Sequence, residues 1–307
     1  MDGDRPRVLI TGARGFIGRH VVQRLRSLAG IDFIEDRRPE DRPGIDLLDR
    51  SAVQELVSGQ RISHVVHACG GYPQRSTEDL FRLHVVTTQN LLDALASAGQ
   101  VVRWINIGSA AQYGPQDPTT EPELGEEHPD RGLSPYADSK AAQEQLLAAA
   151  AHRGLVQPTF LRVFNAIGPG QAVPLPGQGA LLVPAILRQL RDPSASAIRI
   201  GNLACIRDFV DIRDVADAIV ACLRSPRTSG EKLNVCSGNG TGVGEIARML
   251  VAAAGRGDTL PVVEVPMPPP AVLYQRGSRR RIEALCGWRP RYALWETVRD
   301  VWEAANI

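Results

Sequence analysis

The stretch that decides the fold is TGARGFIG at residues 11–18. A short aliphatic run at 7–10 (RVLI) precedes it and predicts a buried strand, and helical apolar spacing over 16–28 follows it. Glycines in such a strand–turn–helix context allow a tight turn and let backbone N–H groups approach a pyrophosphate. The stretch therefore predicts a dinucleotide site formed by Gly12, Arg14, Gly15, Phe16, Ile17 and Gly18.

The residue that follows the second predicted strand bears on the choice of cofactor. This strand covers residues 31–35, and Asp36 comes directly after it. A carboxylate there suits two ribose hydroxyls and repels a 2′-phosphate, which favours NAD. Arg14, Arg37 and Arg38 favour the opposite choice, because guanidinium groups bind phosphate well. We expect NAD, with NADP left open, and count Asp36 and Arg37 among the cofactor-binding residues.

Strands and helices alternate along the first half of the chain. Further strands are predicted at 63–67, 101–107 and 159–163, and helices at 51–57, 80–98 and 135–151. This alternation is typical of an α/β fold of the Rossmann type, a doubly wound parallel sheet with helices on both faces.

After residue 165 the alternation breaks. A segment rich in proline and glycine occupies 168–180, and a proline-rich segment occupies 261–270. Helical patterns resume near residue 181 and cover 215–223, 243–254 and 296–305. We therefore expect a dinucleotide-binding Rossmann domain over 1–165. A smaller mixed C-terminal substrate-binding lobe is expected over 166–307, with some chain returning to the first domain around 205–225.

Composition excludes several classes of function. The net charge of +1 gives no overall attraction to nucleic acid or to an anionic membrane. No apolar run is long enough to span a bilayer, and the first ten residues do not resemble a signal peptide, so we expect a cytoplasmic protein. The five cysteines are dispersed and the six histidines lack ligand spacing, so neither disulfides nor a metal site is expected.

Residues 134–140 read SPYADSK and combine a helix start with a possible acid–base pair. Ser134 suits an N-cap and Pro135 the first helical position. Tyr136 and Lys140 are four residues apart, so they share one face of the predicted helix. A nearby ammonium lowers the pKa of a phenol, which is otherwise about 10. On its own, however, this spacing is more often an ordinary surface helix than a catalytic site.

Taken together, the motifs resemble the extended short-chain dehydrogenase/reductase family, the NAD-dependent epimerase/dehydratases that act mainly on nucleotide sugars. The resemblance covers nearly the whole chain. Its markers occur in the family's order: TGARGFIG at 11–18, DLLD at 46–49, VVHACG at 65–70, GSAAQYG at 108–114, SPYADSK at 134–140, LRVFNAIGPG at 161–170, RDFVDIRDVA at 207–216, NVCSG at 234–238 and GWRP at 287–290.

The resemblance implies a role for each matching position. It makes Ser109, Tyr136 and Lys140 the catalytic residues, with Tyr136 as the acid–base group. It places Asp46 and Leu47 against the adenine and Ala68 beside the nicotinamide ribose, with Tyr136 and Lys140 also contacting the cofactor. Asn165 and Arg207 match positions that contact the substrate's phosphates, and Ser109 also contacts substrate. For Arg207 the alternative is an ion pair with a neighbouring aspartate, Asp208, Asp211 or Asp214.

Three departures from the family pattern limit what the resemblance implies. Ala110 and Ala111 follow Ser109 where the family's 4,6-dehydratases carry an Asp–Glu pair, which disfavours dehydration. His84 stands where the family usually has asparagine. The usual Arg-Pro-Gly-Asp before the C-terminal segment is absent, so a second phosphate-binding arginine is not assignable, although Arg276 or one of 279–281 could substitute.

The predicted activity is that of an NAD(P)-dependent epimerase or ketoreductase acting on a nucleotide-sugar hydroxyl or ketone, with C4 the expected carbon. The slightly favoured form is an epimerase, and a 4-ketoreductase of antibiotic-sugar biosynthesis is the alternative enzyme. A non-catalytic dinucleotide sensor or scaffold is the alternative of a different class, but it would need neither Tyr136 nor Lys140. The resemblance also implies a homodimer, paired through the helices at 80–98 and 135–151.

Overall fold

The computed structural model of the chain describes residues 5–36, 44–71, 75–171, 181–268 and 272–305. The strands in these ranges are β1 (Arg7–Thr11), β2 (Asp32–Glu35), β3 (His64–His67), β4 (Val102–Ser109), β5 (Val156–Val163), β6 (Asn165–Ile167), β7 (Ile198–Ile200), β8 (Ile206–Asp211), β9 (Lys232–Val235), β10 (Gly240–Gly242), β11 (Val262–Glu264) and β12 (Tyr274–Gln275). The α-helices are α1 (Phe16–Arg26), α2 (Arg50–Val57), α3 (Thr77–Phe81), α4 (Thr87–Ser97), α5 (Pro135–His152), α6 (Leu182–Leu190), α7 (Ile212–Arg224), α8 (Val243–Ala253), α9 (Arg280–Cys286) and α10 (Leu294–Ala305).

A six-stranded parallel sheet forms the centre of the fold, with the strand order β2-β1-β3-β4-β5-β9. The predicted α/β class is therefore confirmed. Because all six strands are parallel, their carboxyl ends lie along one edge of the sheet. Thr11, His67 and Ser109, the last residues of β1, β3 and β4, lie at that edge.

Successive residues of each strand pack against different layers of helices. In β1, Val8 and Ile10 belong to the core formed with α1 and α7, whereas Leu9 belongs to the core formed with α2, α4 and α5. The alternation follows from the pleat of the strand. Thr11 therefore lies on the same face of the sheet as Leu9, below the helices α4 and α5.

The second half of the chain builds smaller sheets and also contributes to the large one. In it, β8 pairs with β6, β10 and β12, and β7 pairs with β11. A third core lies among α6, α8 and α10. The boundary at residue 165 stays a prediction. Helix α7 and strand β9 follow that residue, yet α7 packs on the large sheet and β9 extends it.

Two local features position the helix that carries Tyr136 and Lys140. Helix α5 begins as its sequence predicts, because the Ser134 hydroxyl accepts the Ala137 N–H at 3.2 Å and Pro135 occupies the first turn. The helix predicted at 80–98 is instead interrupted by a π-helical turn over Arg82–Val86, between α3 and α4. The apolar spacing does not reveal this turn, and such turns are frequent at functional sites.

No helix of the described residues has the length and apolar character needed to cross a membrane.

A buried carboxylate ties two loops to β8. Asp208 is fully buried. Its Oδ1 accepts the backbone N–H and the hydroxyl of Ser237 at 2.8 and 2.7 Å, and its Oδ2 accepts the N–H groups of Gly238 and Gly277 at 2.9 and 3.2 Å. Burial raises the pKa of Asp208 to about 6. The carboxylate is ionised at neutral pH, when both oxygens act as acceptors.

We expect Asp208→Asn to destabilise the protein by about 1–3 kcal/mol. The asparagine amide has only one acceptor oxygen. Its NH₂ group would replace the other carboxylate oxygen and would face backbone N–H donors, which would then lack an acceptor. Urea unfolding at pH 7.5 measures the change, with Asp258→Asn at an exposed position as the matched control. Equal unfolding midpoints for the two variants would contradict this role of Asp208.

Candidate active site

The glycine turn between β1 and α1 has the geometry that a pyrophosphate requires. Gly12 has a positive φ of 70°, and the Gly15 N–H donates to the Gly12 carbonyl oxygen at 2.8 Å. A Cβ at Gly18 would overlap that oxygen, and a Cβ at Gly12 would overlap the backbone of Ala68. Helix α1 begins with no side-chain cap and no acidic residue in its first turn. Its first N–H groups can therefore receive an anion, and the residues present fit the phosphates of a dinucleotide.

Asp36 turns its carboxylate toward this glycine turn. The carboxylate accepts the backbone N–H groups of Gly12 at 2.6 Å and Ala13 at 3.1 Å. Burial raises the pKa of Asp36 above its usual range. Arg14 is exposed in the same turn, whereas the predicted cofactor contact of Arg37 falls outside the described residues. Contact between Asp36 and a ribose stays a prediction.

The other residues expected at the cofactor lie on the neighbouring loops. Asp46 is exposed, and Leu47 is buried with its carbonyl accepting the Asn90 side-chain amide at 2.9 Å. Ala68 follows β3 directly and donates its N–H to the Thr11 carbonyl at 3.0 Å. The loop after β3 therefore lies against the glycine turn. The roles of these residues toward adenine and the nicotinamide ribose stay predictions.

Ser109, Tyr136 and Lys140 come together at the carboxyl end of β4. The Ser109 hydroxyl accepts the Ala111 N–H at 3.2 Å and is near enough to the Tyr136 phenol to lower its pKa. One turn further along α5, the Lys140 ammonium donates to the carbonyl oxygen of Ile107 in β4 at 2.8 Å. Three side chains from two elements thus form one polar cluster with the composition of an acid–base site.

Burial acts on the two titrating groups of this cluster in opposite directions. It raises the pKa of Tyr136 above its usual value, and the nearby Ser109 hydroxyl only partly opposes this effect. It lowers the pKa of Lys140, which is 5% exposed, to about 8. In the free protein at neutral pH, the phenol is therefore protonated and the ammonium charged.

Gln143 gives the ammonium of Lys140 a second acceptor, besides the carbonyl of Ile107 in β4. The Lys140 Nζ donates to the Gln143 Oε1 at 3.2 Å, and the Gln143 Nε2 donates to the Thr88 hydroxyl oxygen in α4 at 2.9 Å. All three residues are buried. The second bond fixes the orientation of the Gln143 amide, so its oxygen rather than its nitrogen faces the cation.

The same chain of hydrogen bonds continues to the first strand. Thr88 donates its own proton to the His84 carbonyl at 2.6 Å, so it accepts from the His67 Nε2 at 3.1 Å. The His67 Nδ1 in turn accepts from the Thr11 hydroxyl at 2.6 Å. Burial and the charge of Lys140 lower the pKa of His67 to about 3, which keeps its ring neutral. Lys140 is thus joined by buried hydrogen bonds to the residue that precedes the glycine turn.

A second set of contacts holds the backbone of Ser109. Its N–H donates to the Gln112 Oε1 at 3.0 Å, and the Gln112 Nε2 donates to the Glu144 Oε2 at 3.0 Å. The other Glu144 oxygen pairs with Arg162 and with Lys232, each at 2.9 Å. Glu144 is next to Gln143 in α5, so neighbouring residues of one helix hold the serine and the lysine.

The sequence patterns single out none of Gln112, Gln143 or Glu144. Gln143 and Glu144 nevertheless have one signal in the sequence. They follow Lys140 by three and four residues, which is about one helical turn. Polar side chains there point from α5 toward the sheet, where a buried polar group requires a partner. For Gln112 we find no signal of this kind.

The two residues expected at the substrate phosphates lie on adjacent strands. Asn165 begins β6 and donates its side-chain amide to the Asp208 carbonyl at 2.9 Å. The guanidinium of Arg207 in β8 donates to the carbonyls of Ile206 at 2.8 Å and Val272 at 2.6 Å, and burial lowers its pKa. Among the described residues, no carboxylate forms an ion pair with Arg207. Its contact with a phosphate stays a prediction.

The basic run near the C-terminus is engaged in contacts within the protein. Arg276 pairs with Glu123 at 3.1 Å, and Arg281 approaches Glu126 at 3.9 Å. No second phosphate-binding arginine is assigned from this run. Within the described ranges, no group of three or more histidine, cysteine or acidic residues is placed to hold a metal ion.

Comparisons with known proteins agree with this geometry. The model of the NAD-dependent epimerase/dehydratase family matches residues 8–236. The chain is 28% identical to a dTDP-6-deoxy-L-talose 4-dehydrogenase (NAD(P)(+)) of Kitasatospora kifunensis, over 98% of this chain and 96% of that protein.

Two solved structures have the same fold. The protein RMD from Pseudomonas aeruginosa, complexed with NADPH, has a TM-score of 0.84 and 26% identity, with 98% of this chain and 97% of that chain covered. The UDP-glucose 4-epimerase of Thermus thermophilus, complexed with NAD, has a TM-score of 0.83 and 27% identity. The match covers 98% of this chain and 99% of that chain.

We expect Gly18→Ala to weaken binding of NADH and NADPH at least about ten-fold, a loss of about 1.4 kcal/mol. The added methyl group would overlap the Gly12 carbonyl oxygen and force the turn open. Fluorescence titration measures the affinities, and Gly257→Ala, where the nearest atom to a new Cβ is 4.0 Å away, is the control. Unchanged affinity in Gly18→Ala would remove the glycine turn from the cofactor site.

Proposed function

Because the chain belongs to the NAD-dependent epimerase/dehydratase family, we propose that it is an NAD(P)-dependent epimerase or ketoreductase acting at C4 of a nucleotide-linked sugar. One observation carries the proposal. A continuous buried chain of hydrogen bonds runs from Thr11, next to the glycine turn, through His67, Thr88 and Gln143 to Lys140. It couples the residues suited to a dinucleotide with those suited to proton transfer.

The residues have distinct roles in this proposal. When bound, NAD(P) supplies the group that accepts or donates a hydride. The Ser109 hydroxyl and the Tyr136 phenol both hydrogen-bond the reacting sugar oxygen. Tyr136 removes the proton of an alcohol or returns one to a ketone, and the ammonium of Lys140 stabilises the phenolate. Ala110 and Ala111 offer no carboxylate, so the same site lacks the acid and base for eliminating water.

The chemistry of the relatives supports this substrate class. The talose 4-dehydrogenase and the UDP-glucose 4-epimerase both bear names that specify reaction at position 4 of a nucleotide-linked sugar. Asn165 and Arg207 supply an amide and a guanidinium, which suit the diphosphate of such a substrate.

We further infer a cytoplasmic homodimer paired through α3, α4 and α5. Phe81 and Val86 are exposed there, and a monomer in sedimentation velocity would contradict the pairing.

The nucleotide that the purified protein carries separates the alternatives. An epimerase reoxidises its own cofactor, so denatured protein is expected to release bound NAD. A ketoreductase is expected to be purified empty and to consume NADPH or NADH with a nucleotide 4-keto-sugar. Binding of neither nucleotide would overturn the proposal, and binding without turnover of any nucleotide sugar would favour a sensor or scaffold.

We expect Tyr136→Phe to lower kcat by about 10²–10⁴-fold, because the general acid–base group is lost. The affinity for NAD(P)H is expected to change little, since the glycine turn is untouched. Turnover is measured on a substrate found by screening nucleotide sugars, with nucleotide affinity as the control for folding. Full turnover by this variant would show that another residue transfers the proton.

The pKa of Lys140 predicts a pH dependence for the ketone-reducing direction. Its ammonium is charged below its pKa of about 8 and neutral above it, whereas Tyr136 stays protonated in this range. As pH rises through about 8, the charge that stabilises the developing phenolate is lost, so kcat/KM is expected to be level below this pH and to fall above it. Lys140→Met is expected to be less active with no inflection near pH 8. A wild-type profile level to pH 10 would contradict this assignment.

A further inference from the structure

His84 occupies a position between the loop after β3 and the catalytic helix α5. Its side chain is fully buried, and it lies in the π-helical turn Arg82–Val86. The Thr87 and Thr88 hydroxyls donate to the carbonyls of Leu83 and His84 at 2.7 and 2.6 Å. These bonds satisfy backbone oxygens at the π turn, where the regular helical pattern is interrupted.

The hydrogen bonds of His84 fix its tautomer. Ser139 donates its hydroxyl proton to the Tyr136 carbonyl at 2.8 Å, so its oxygen accepts the proton on the His84 Nδ1 at 2.9 Å. The Gly71 N–H donates into the His84 Nε2 at 3.1 Å. The ring is therefore neutral, with its proton on Nδ1, and each nitrogen serves a different segment of the chain.

The surroundings of His84 oppose a second proton. A Cβ at Gly70 would lie 2.9 Å from the His84 Nε2 and 3.6 Å from the Lys140 Nζ, so the ring and the ammonium meet at the same loop. Burial, Lys140 and His67 lower the pKa of His84 to about 2. Protonation would also turn the acceptor that faces the Gly71 N–H into a donor.

His84 also contacts Tyr136 directly. The two ring centroids are 5.6 Å apart with an interplanar angle of 75°, an edge-to-face arrangement. The Ser139 hydroxyl meanwhile holds the Tyr136 carbonyl at the first turn of α5. Both the backbone and the ring of Tyr136 are thus held through His84.

We propose that His84 is a positioning residue with two separate contacts. Its Nδ1–H holds Ser139 and, through it, Tyr136. Its Nε2 holds Gly71 and, with it, the loop at 68–71. The inference rests on the proposed function, since it assigns Tyr136 to proton transfer and that loop to the nicotinamide side of the cofactor. An asparagine cannot perform both tasks in this geometry, because its donor and acceptor are attached to one carbon and have a shorter reach.

Two substitutions separate the two hydrogen bonds of the His84 ring. An asparagine amide nitrogen can take the place of Nδ1, so His84→Asn keeps the bond to Ser139 and loses the bond to Gly71. A glutamine oxygen can take the place of Nε2, so His84→Gln keeps the bond to Gly71 and loses the bond to Ser139. His84→Phe keeps the ring contact with Tyr136 and loses both bonds.

We expect the variants to divide their effects between binding and turnover. His84→Asn should weaken NAD(P)H binding about five-fold with kcat nearly unchanged, and His84→Gln should lower kcat about five-fold with binding nearly unchanged, the size of one lost hydrogen bond. His84→Phe should show both effects. Ser139→Ala should lower kcat as His84→Gln does, and adding it to His84→Gln should cost nothing further.

Hydrogen–deuterium exchange of the nucleotide-free protein supplies a readout independent of activity. The peptide containing Gly71 should exchange faster in His84→Asn and His84→Phe than in His84→Gln or wild type. Equal losses of binding and turnover in all three His84 variants, or none in any, would overturn the proposal while wild-type turnover stands. An inactive wild type with the predicted exchange pattern would instead contradict the proposed function.

Discussion

The burial of one ammonium group, that of Lys140, constrains most of the site around it. A cation with little access to water needs acceptors in the protein, and here they are the Ile107 carbonyl and the Gln143 amide oxygen. The first fixes the distance from α5 to β4, and the second requires Thr88 and His67 behind it. The strand that precedes the glycine turn is therefore connected by hydrogen bonds to the charged group of Lys140.

Two histidines can stand near this ammonium because both are neutral. Burial and the charge of Lys140 lower the pKa of His67 to about 3 and that of His84 to about 2. Neutral rings donate from one nitrogen and accept at the other, so each links two segments. In the free protein the phenol is protonated and the ammonium charged, which in the proposed function is the state that returns a proton to a ketone. Oxidation of an alcohol requires the phenolate, which a nearby positive nicotinamide favours.

The sequence predicts the large sheet and singles out Ser109, Tyr136 and Lys140, but it does not reveal the buried residues that hold them. Local signals suffice for β1, the glycine turn and the start of α5, because each depends on neighbours within a few residues. The short strand β9 depends on pairing with β5, far away along the chain, and the apolar spacing over 80–98 conceals the π turn at His84. Gln112 and Gln143 are buried polar residues whose partners are 32 and 55 positions away. The distance along the chain explains why no local pattern reveals them.

In the proposed function, a dinucleotide held at the glycine turn exchanges a hydride with a sugar carbon whose oxygen is hydrogen-bonded to Tyr136. The most direct measurement follows deuterium from C4-deuterated NADH or NADPH into a nucleotide 4-keto-sugar, read by mass spectrometry and NMR. We expect one deuterium on the carbon that bore the keto group, transferred from one face of the nicotinamide only. A reduced sugar that carries hydrogen from solvent at that carbon, with the label still on the nicotinamide, would contradict it.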